Sequence, residues 1–266
     1  MKERTISAII MALILVPVFY IGGTVFDIAI FIISLLALKE FLDMKETKKK
    51  LPMFVKFTSY IFMILLVGTN MIKETITLEM DFRVLSALFI TFLIPTVLYH
   101  DKEKYNINDA FYLIGGIFFL SLSMILMVAV RNVRLALILY LLIITILTDT
   151  FAYLTGLLIG KHKMIESISP KKTWEGSFGG TLAGVITSTI FYLTVINPNE
   201  NVLKITLISL FLSILGQFGD LVFSAIKRYF GKKDFSNLIP GHGGILDRMD
   251  SIIFVLIGFM FFWFGL

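Results

Sequence analysis

Runs of about 20 almost wholly apolar residues, the length a helix needs to cross a bilayer, recur along this chain between charged clusters. That pattern constrains it more than any motif does. Nine such runs lie near 5–22, 24–38, 54–70, 83–99, 110–130, 135–159, 177–196, 203–224 and 251–266. Composition agrees: 57% of the 266 residues are hydrophobic and 16% charged, against about 45–50% and roughly 25% in soluble domains, and the mean hydropathy is +0.89. A water-soluble domain and a disordered chain are both excluded. The expectation is an all-α polytopic integral membrane protein of about nine transmembrane helices. The first run follows Met1-Lys2-Glu3-Arg4 without a small-residue cleavage site and reads as a retained span.

Cytoplasmic loops collect Lys and Arg. With nine spans, the N-terminus and segments 39–50, 100–109, 160–176 and 225–250 share one side and hold 18 of the 24 basic residues. The other side holds five: Lys73, Arg83, Arg131, Arg134 and Lys204. This predicts a cytoplasmic N-terminus in the inner membrane. The positive charge faces anionic lipid rather than nucleic acid, since no basic, aromatic-interleaved soluble module is present. Residues 1–134 read as a scaffold of about five spans and 135–266 as about four spans carrying the chemistry, within one integrated membrane domain. The charge run 39–50 (KEFLDMKETKKK) reads as an anchor that orients the chain.

Cys is absent, which removes thiol nucleophiles, disulfides, iron–sulfur clusters and Cys-zinc sites. The three His residues, His100, His162 and His242, are too scattered for a His-rich metal site. Carboxylates carry more information. Asp149 and Asp220 lie inside apolar runs, where an ionisable group costs about 2.5–3.5 kcal/mol and normally faces a polar interior or a ligand. Ser224 and Lys227 follow Asp220 on the same helix face, so a helix-bracing Asp220–Lys227 ion pair is the bland alternative. Asp247 and Asp250 are spaced to share a face at the start of the last span, after Gly241, Gly243 and Gly244, where backbone can approach a ligand closely. Carboxylates without His or Cys partners suit a hard cation such as Mg²⁺, held by one or two carboxylates plus substrate phosphates. Lys171, Lys172, Lys227, Arg228, Lys232, Lys233 and Arg248 fall in the same two segments, the company that phosphoryl or nucleotidyl transfer requires.

Familiar nucleotide motifs fail. Gly156-Leu-Leu-Ile-Gly160-Lys161-His162 imitates a P-loop but is one residue short and places His where Ser or Thr would hold Mg²⁺. Gly176, Gly180 and Gly184, spaced by four, form a small-residue face for close helix packing. Ser169-Pro170 stops any helix before Lys171, and Trp174 suits the headgroup level.

The run Ser224-Ala-Ile-Lys227-Arg228, Lys233-Asp234, Ile239-Pro240-Gly241-His242-Gly243-Gly244 and Asp247-Arg248-Met249-Asp250 resembles the signature of phosphatidate cytidylyltransferases (CDP-diacylglycerol synthases). Ser169-Pro170-Lys171-Lys172-Thr173-Trp174-Glu175-Gly176 resembles that family's second landmark, and Asp149 with Ala152-Tyr153 a third, with Phe151 and Leu157 departing from the pattern. The resemblance is specific over 149–250. It implies that CTP and phosphatidate give CDP-diacylglycerol and pyrophosphate with Mg²⁺, and it admits a second metal ion, divalent or monovalent, and a homodimer. Its partners would be CTP, phosphatidate and membrane lipid, with no nucleic acid. Carried onto this sequence, Asp220 and Asp247 would be metal ligands, Asp250 a third ligand or its neighbour, and Asp149 a contributor. Lys227, Arg228, Lys233 and Arg248 would bind phosphates. Ser169, Lys171, Lys172 and Thr173 would form a second phosphate clamp oriented by Glu175. Ser224, His242, Gly243 and Gly244 would line the substrate side, with His242 shaping its loop. A CTP-dependent polyprenol-type lipid kinase and an ion-coupled transporter stay open as alternatives. A CDP-alcohol phosphotransferase does not fit, because its D-x-x-D-G-x-x-A-R run is missing after Asp250.

Overall fold

The computed structural model describes residues 2–72, 81–99, 101 and 103–263. Lys73, His100 and the last three residues of the ninth apolar run lie outside them. Among the described residues five helices are long and apolar enough to span a bilayer: α3 (Met53–Ile72), α6 (Ile107–Val133), α7 (Leu135–Ile159), α8 (Trp174–Phe191, prolonged by a π-helical turn to Ile196) and α9 (Val202–Tyr229). Thr5–Ile21 and Phe82–Leu98 are shorter apolar helical stretches. The chain is an all-α integral membrane protein to which one small antiparallel ladder is added. Backbone contacts group it into two units, residues 1–132 with 234–246, and residues 133–233 with 247–266.

In the first unit α1 (Lys2–Ile21) and α2 (Gly23–Glu46) are joined at Gly22, whose φ of 67° favours glycine. Arg131 explains why a side chain is excluded there. Its guanidinium fills the space a Cβ on Gly22 would take, donating to Phe19 O at 2.8 and 3.1 Å and to Tyr20 O at 3.1 Å. It thereby satisfies the last carbonyls of α1. α4 (Phe82–Leu93) starts on an Asp81 cap, 2.9 Å from Arg83 N, and gives way to the single turn α5 (Pro95–Leu98) where Pro95 lacks a donor. α6 opens with a capping box: Asn106 Oδ1 accepts from Asp109 N at 3.2 Å while Asp109 Oδ2 accepts from Asn106 N at 3.0 Å. Asp109, 1% exposed, also takes Lys45 and Lys49 at 2.7 and 2.6 Å. The basic run expected merely to anchor the chain therefore also locks α2 to α6, and Phe41 stacks on Tyr112 at 4.3 Å beside it.

The second unit is built on the α7–α8 pair. A Cβ at Gly176 would lie 2.6 Å from Ala152 O, one at Gly180 2.7 Å from Ala152 Cβ, and one at Gly184 would meet Thr148 Oγ1. The four-residue glycine spacing is a close-packing face, as its sequence predicts. Hydroxyls and an amide join the helices: Tyr140 to Ser209 at 2.8 Å, Thr148 to Ser213 at 2.8 Å, Ser177 to Gln217 at 2.6 Å and Gln217 to Thr181 at 2.7 Å. Between α7 and α8, β1 (Lys163–Ile165) pairs antiparallel with β2 (Ser169–Thr173), Lys163 opposite Thr173 and Ile165 opposite Ser169. Strands this short and polar carry no readable alternation. The unit closes with α10 (Leu246–Phe259), whose residues from Asp247 onward belong to it.

Candidate active site

The second unit gathers most of the residues singled out by sequence. α9 ends in a Schellman turn, with Gly231 N donating to Arg228 O and Lys232 N to Lys227 O, both at 2.9 Å, and Gly231 at φ 68°. That turn stops α9 at Tyr229, two residues beyond Lys227. Its inner face carries Asp220, Ser224 and Lys227, and Ser224 Oγ donates to Asp220 Oδ1 at 3.3 Å. The ion pair read along this face is replaced by two that cross between elements. Lys227 Nζ meets Asp247 Oδ1 of α10 at 2.7 Å, and Lys172 Nζ of β2 meets Asp220 Oδ2 at 2.5 Å. A Lys two turns from an Asp satisfies facial spacing, but the carboxylate one helix away offers the shorter approach.

Asp149 of α7 accepts from Ser251 Oγ of α10 at 3.1 Å and lies within electrostatic reach of Lys172, Asp220 and Arg248. Asp250 feels Asp220, Lys227 and Asp149 in turn. Three helices and one strand thus bring three carboxylates, Asp149, Asp220 and Asp250, and two cations, Lys172 and Arg248, into one mixed-charge cluster beside the buried Lys227–Asp247 pair. Close approach of α9 and α10 makes this geometry available: a Cβ on Gly219 would lie 2.7 Å from Asp250 O and 2.9 Å from Phe254 Cβ.

The residues of the second landmark meet different partners. Thr173 caps α8, its hydroxyl accepting from Gly176 N at 3.2 Å, and is buried against Gly156 and Gly160 of the α7 terminus. Glu175 turns away from the lysines and takes His162 Nδ1 at 2.6 Å and the backbone N–H groups of Lys161 and His162. It holds the turn before β1. Ser169 is half-buried at the start of β2 and Lys171 is exposed. Arg228 donates to Ile168 O at 3.3 Å and to Lys232 O at 2.9 Å, tying the β-turn to the segment after α9. Lys233 and Arg248 are exposed.

His242, Gly243 and Gly244 belong to the first unit. Ile239-Pro240-Gly241-His242 forms a turn closed by His242 N to Ile239 O at 2.9 Å, with Gly241 at φ 75° and Gly243 at φ 84°. His242 Nδ1 bonds Ser7 Oγ of α1 at 2.7 Å. Sequence reading missed Glu40. This α2 carboxylate, 3% exposed, accepts from Ser236 Oγ at 2.6 Å, Ile245 N at 2.8 Å and Leu246 N at 2.9 Å. One signal was available: Glu40 sits on the helical stripe of Ala37, Leu38, Phe41 and Met44, all buried.

The donors around Asp149, Asp220 and Asp250 are oxygens alone, which fits a hard cation. Among the described residues no three His, Cys, Asp or Glu side chains are arranged to hold a metal by themselves.

Comparison with known proteins is consistent over almost the whole chain. Residues 2–265 match the model of the cytidylyltransferase family. The chain is similar to phosphatidate cytidylyltransferases of Staphylococcus haemolyticus (37% identical), Staphylococcus epidermidis (35%) and Staphylococcus aureus (36%), each over 257 residues and 96% of both chains. With its oxygen-rich cluster set among apolar helices and a match running nearly end to end, the chain belongs to the cytidylyltransferase family.

Proposed function

We propose that this protein transfers the cytidylyl group of CTP to phosphatidate, giving CDP-diacylglycerol and pyrophosphate. The observation that carries the reading is the mixed-charge cluster of Asp149, Lys172, Asp220, Arg248 and Asp250 on α7, β2, α9 and α10 of a chain related over 96% of its length to proteins named for that activity. The apolar helices keep the lipid substrate in the bilayer. The cations suit two anionic substrates and an anionic leaving group.

A phosphatidate phosphate oxygen attacks the α-phosphorus of CTP in line. The new P–O bond forms as the bond to the β-phosphate breaks, and the electron pair leaves on pyrophosphate. A phosphate monoester with second pKa near 6 is largely dianionic at pH 7, so no proton needs removing and positioning with charge stabilisation carries the rate. Mg²⁺, when bound, would supply positive charge that offsets the charge shifting between phosphate groups during the transfer. Asp220 and Asp250, with Asp149 beside them, would hold it, and Asp247 would reach it only as its bond to Lys227 allows. Lys172 and Arg248 bind phosphate oxygens, Lys172 exchanging Asp220 for substrate. Arg228 and Thr173 hold the two loops in place. In this reading the chain crosses the membrane nine times with its N-terminus and the site facing the cytosol, supported by the 18 basic residues that nine spans put on that side.

The test uses purified protein in detergent with phosphatidate and CTP labelled at the α-phosphate, with and without Mg²⁺. Metal-dependent label in lipid together with released pyrophosphate is expected. Label reaching lipid only from γ-labelled CTP would replace this reading with a CTP-dependent lipid kinase.

A further inference from the structure

Resting on the reading above, we infer that Glu40 is a positioning residue for cytidylyl transfer, acting as a clasp that determines where α10 begins. Three donors converge on its buried carboxylate: the Ser236 hydroxyl and the N–H groups of Ile245 and Leu246. The last two are at the start of α10, where N–H groups have no partner within the helix. A negative charge there also opposes the positive end of the helix dipole. The capping oxygens come from α2, some two hundred residues away, so the cap fixes a tertiary arrangement as well as a helix end.

Gly244 shows how closely the clasp is fitted, since a Cβ at that position would lie 2.5 Å from both Glu40 carboxylate oxygens. Ser7 holds the same segment from α1, donating to Pro240 O at 2.9 Å besides its bond to His242. The segment 236–246 is therefore gripped at both ends of its glycine turn. Asp247, Arg248 and Asp250 follow Leu246 directly on the same helix. A shift in the first turn of α10 would move all three. A charged side chain buried at 3% exposure is costly unless its bonds are complete, and the three donors complete them.

The contrast between Glu40→Gln and Glu40→Asp tests this. Gln keeps the volume but turns an acceptor into an N–H₂ facing donors. Asp keeps the charge on a shorter arm. Each full-length variant is purified, its folded fraction measured by gel filtration and thermal unfolding, and rates expressed per folded molecule. Glu40→Gln should raise the CTP KM several-fold and lower kcat by at least about tenfold, because displacement of reacting groups by an ångström can cost about 100-fold. Glu40→Asp should recover part of both. Ser236→Ala should lower kcat mildly in the wild-type background and add nothing in Glu40→Gln. Trypsin cleavage after Lys233, followed without substrate or metal, should accelerate in Glu40→Gln. If Glu40→Gln keeps the wild-type KM and kcat per folded molecule, with only the folded yield reduced, Glu40 is a packing residue and the inference is overturned. Wild-type protein that makes no cytidylyl lipid would overturn the function reading itself, and the positioning role with it.

Discussion

Lys227 Nζ lies 2.7 Å from Asp247 Oδ1 with side-chain exposures of 9% and 2%, linking the last turn of α9 to the first turn of α10. Burying two charges is repaid only when the pair is intact, and removing one partner leaves the other uncompensated. The pair therefore joins the two helices that carry most of the candidate site, and substitution at either end has a structural consequence besides any catalytic one.

The two ends are expected to differ. Lys227→Met leaves a buried carboxylate and should cost about 3–5 kcal/mol, read as a marked fall in unfolding temperature in detergent. Asp247→Asn leaves a neutral acceptor for the lysine and should fold, while turnover drops more than about 100-fold if Asp247 serves the reacting phosphates. Full activity in folded Asp247→Asn would remove Asp247 from the site.

Glycine positions separate packing from propensity. Gly180 faces Ala152 of α7 with no room for a side chain, so Gly180→Val should destabilise by about 1–3 kcal/mol through overpacking. Gly115, inside α6, has nothing within 4 Å of an added Cβ, and Gly115→Ala should stabilise by about 0.5–1 kcal/mol through helix propensity. Paired thermal melts check both signs.

What could be read from sequence follows the range of the interactions involved. The run read as 135–159 coincides with α7 (Leu135–Ile159), because its boundaries are set locally by hydropathy. The run read as 24–38 stops short within α2, which continues to Glu46 on Phe41, Leu42 and Met44; hydropathy falls at Lys39 and Glu40, but the helical stripe does not. Glu40 was passed over since its partners, Ser236, Ile245 and Leu246, are remote in sequence. The spacing of Asp220 and Lys227 located a helix face correctly, yet it held no information about Lys172 or Asp247 approaching from other elements. Thr173 carries a donor suited to phosphate and Glu175 an acceptor that could orient the lysines, but one hydroxyl can cap a helix and one carboxylate can hold a turn, and only geometry decides between uses.

Thr173 provides a direct check on that distinction. As an N-cap its hydroxyl is worth about 0.5–2 kcal/mol, so Thr173→Val should lower the unfolding temperature and Thr173→Ser should restore it. If the hydroxyl served CTP instead, Thr173→Val would raise the CTP KM at unchanged stability. Melts and a CTP saturation curve on the same preparations separate the two.

Lys172 should show the opposite balance. Its pair with Asp220 is about a quarter exposed on each side, at 24% and 27%, and partly solvated pairs contribute roughly 0–1 kcal/mol. Lys172→Ala should therefore melt close to wild type. A charge-assisted contact to a phosphate contributes about 1.5–3 kcal/mol, so kcat/KM for CTP or for phosphatidate should fall roughly 10- to 100-fold. Lys172→Arg keeps the charge but not the compact ammonium that fits against Asp220, and should recover only part of the loss. Saturation curves for each substrate, with the other held in excess, identify which phosphate the lysine meets. A Lys172→Ala protein with lowered stability and unchanged kcat/KM would reduce the pair to a brace between β2 and α9.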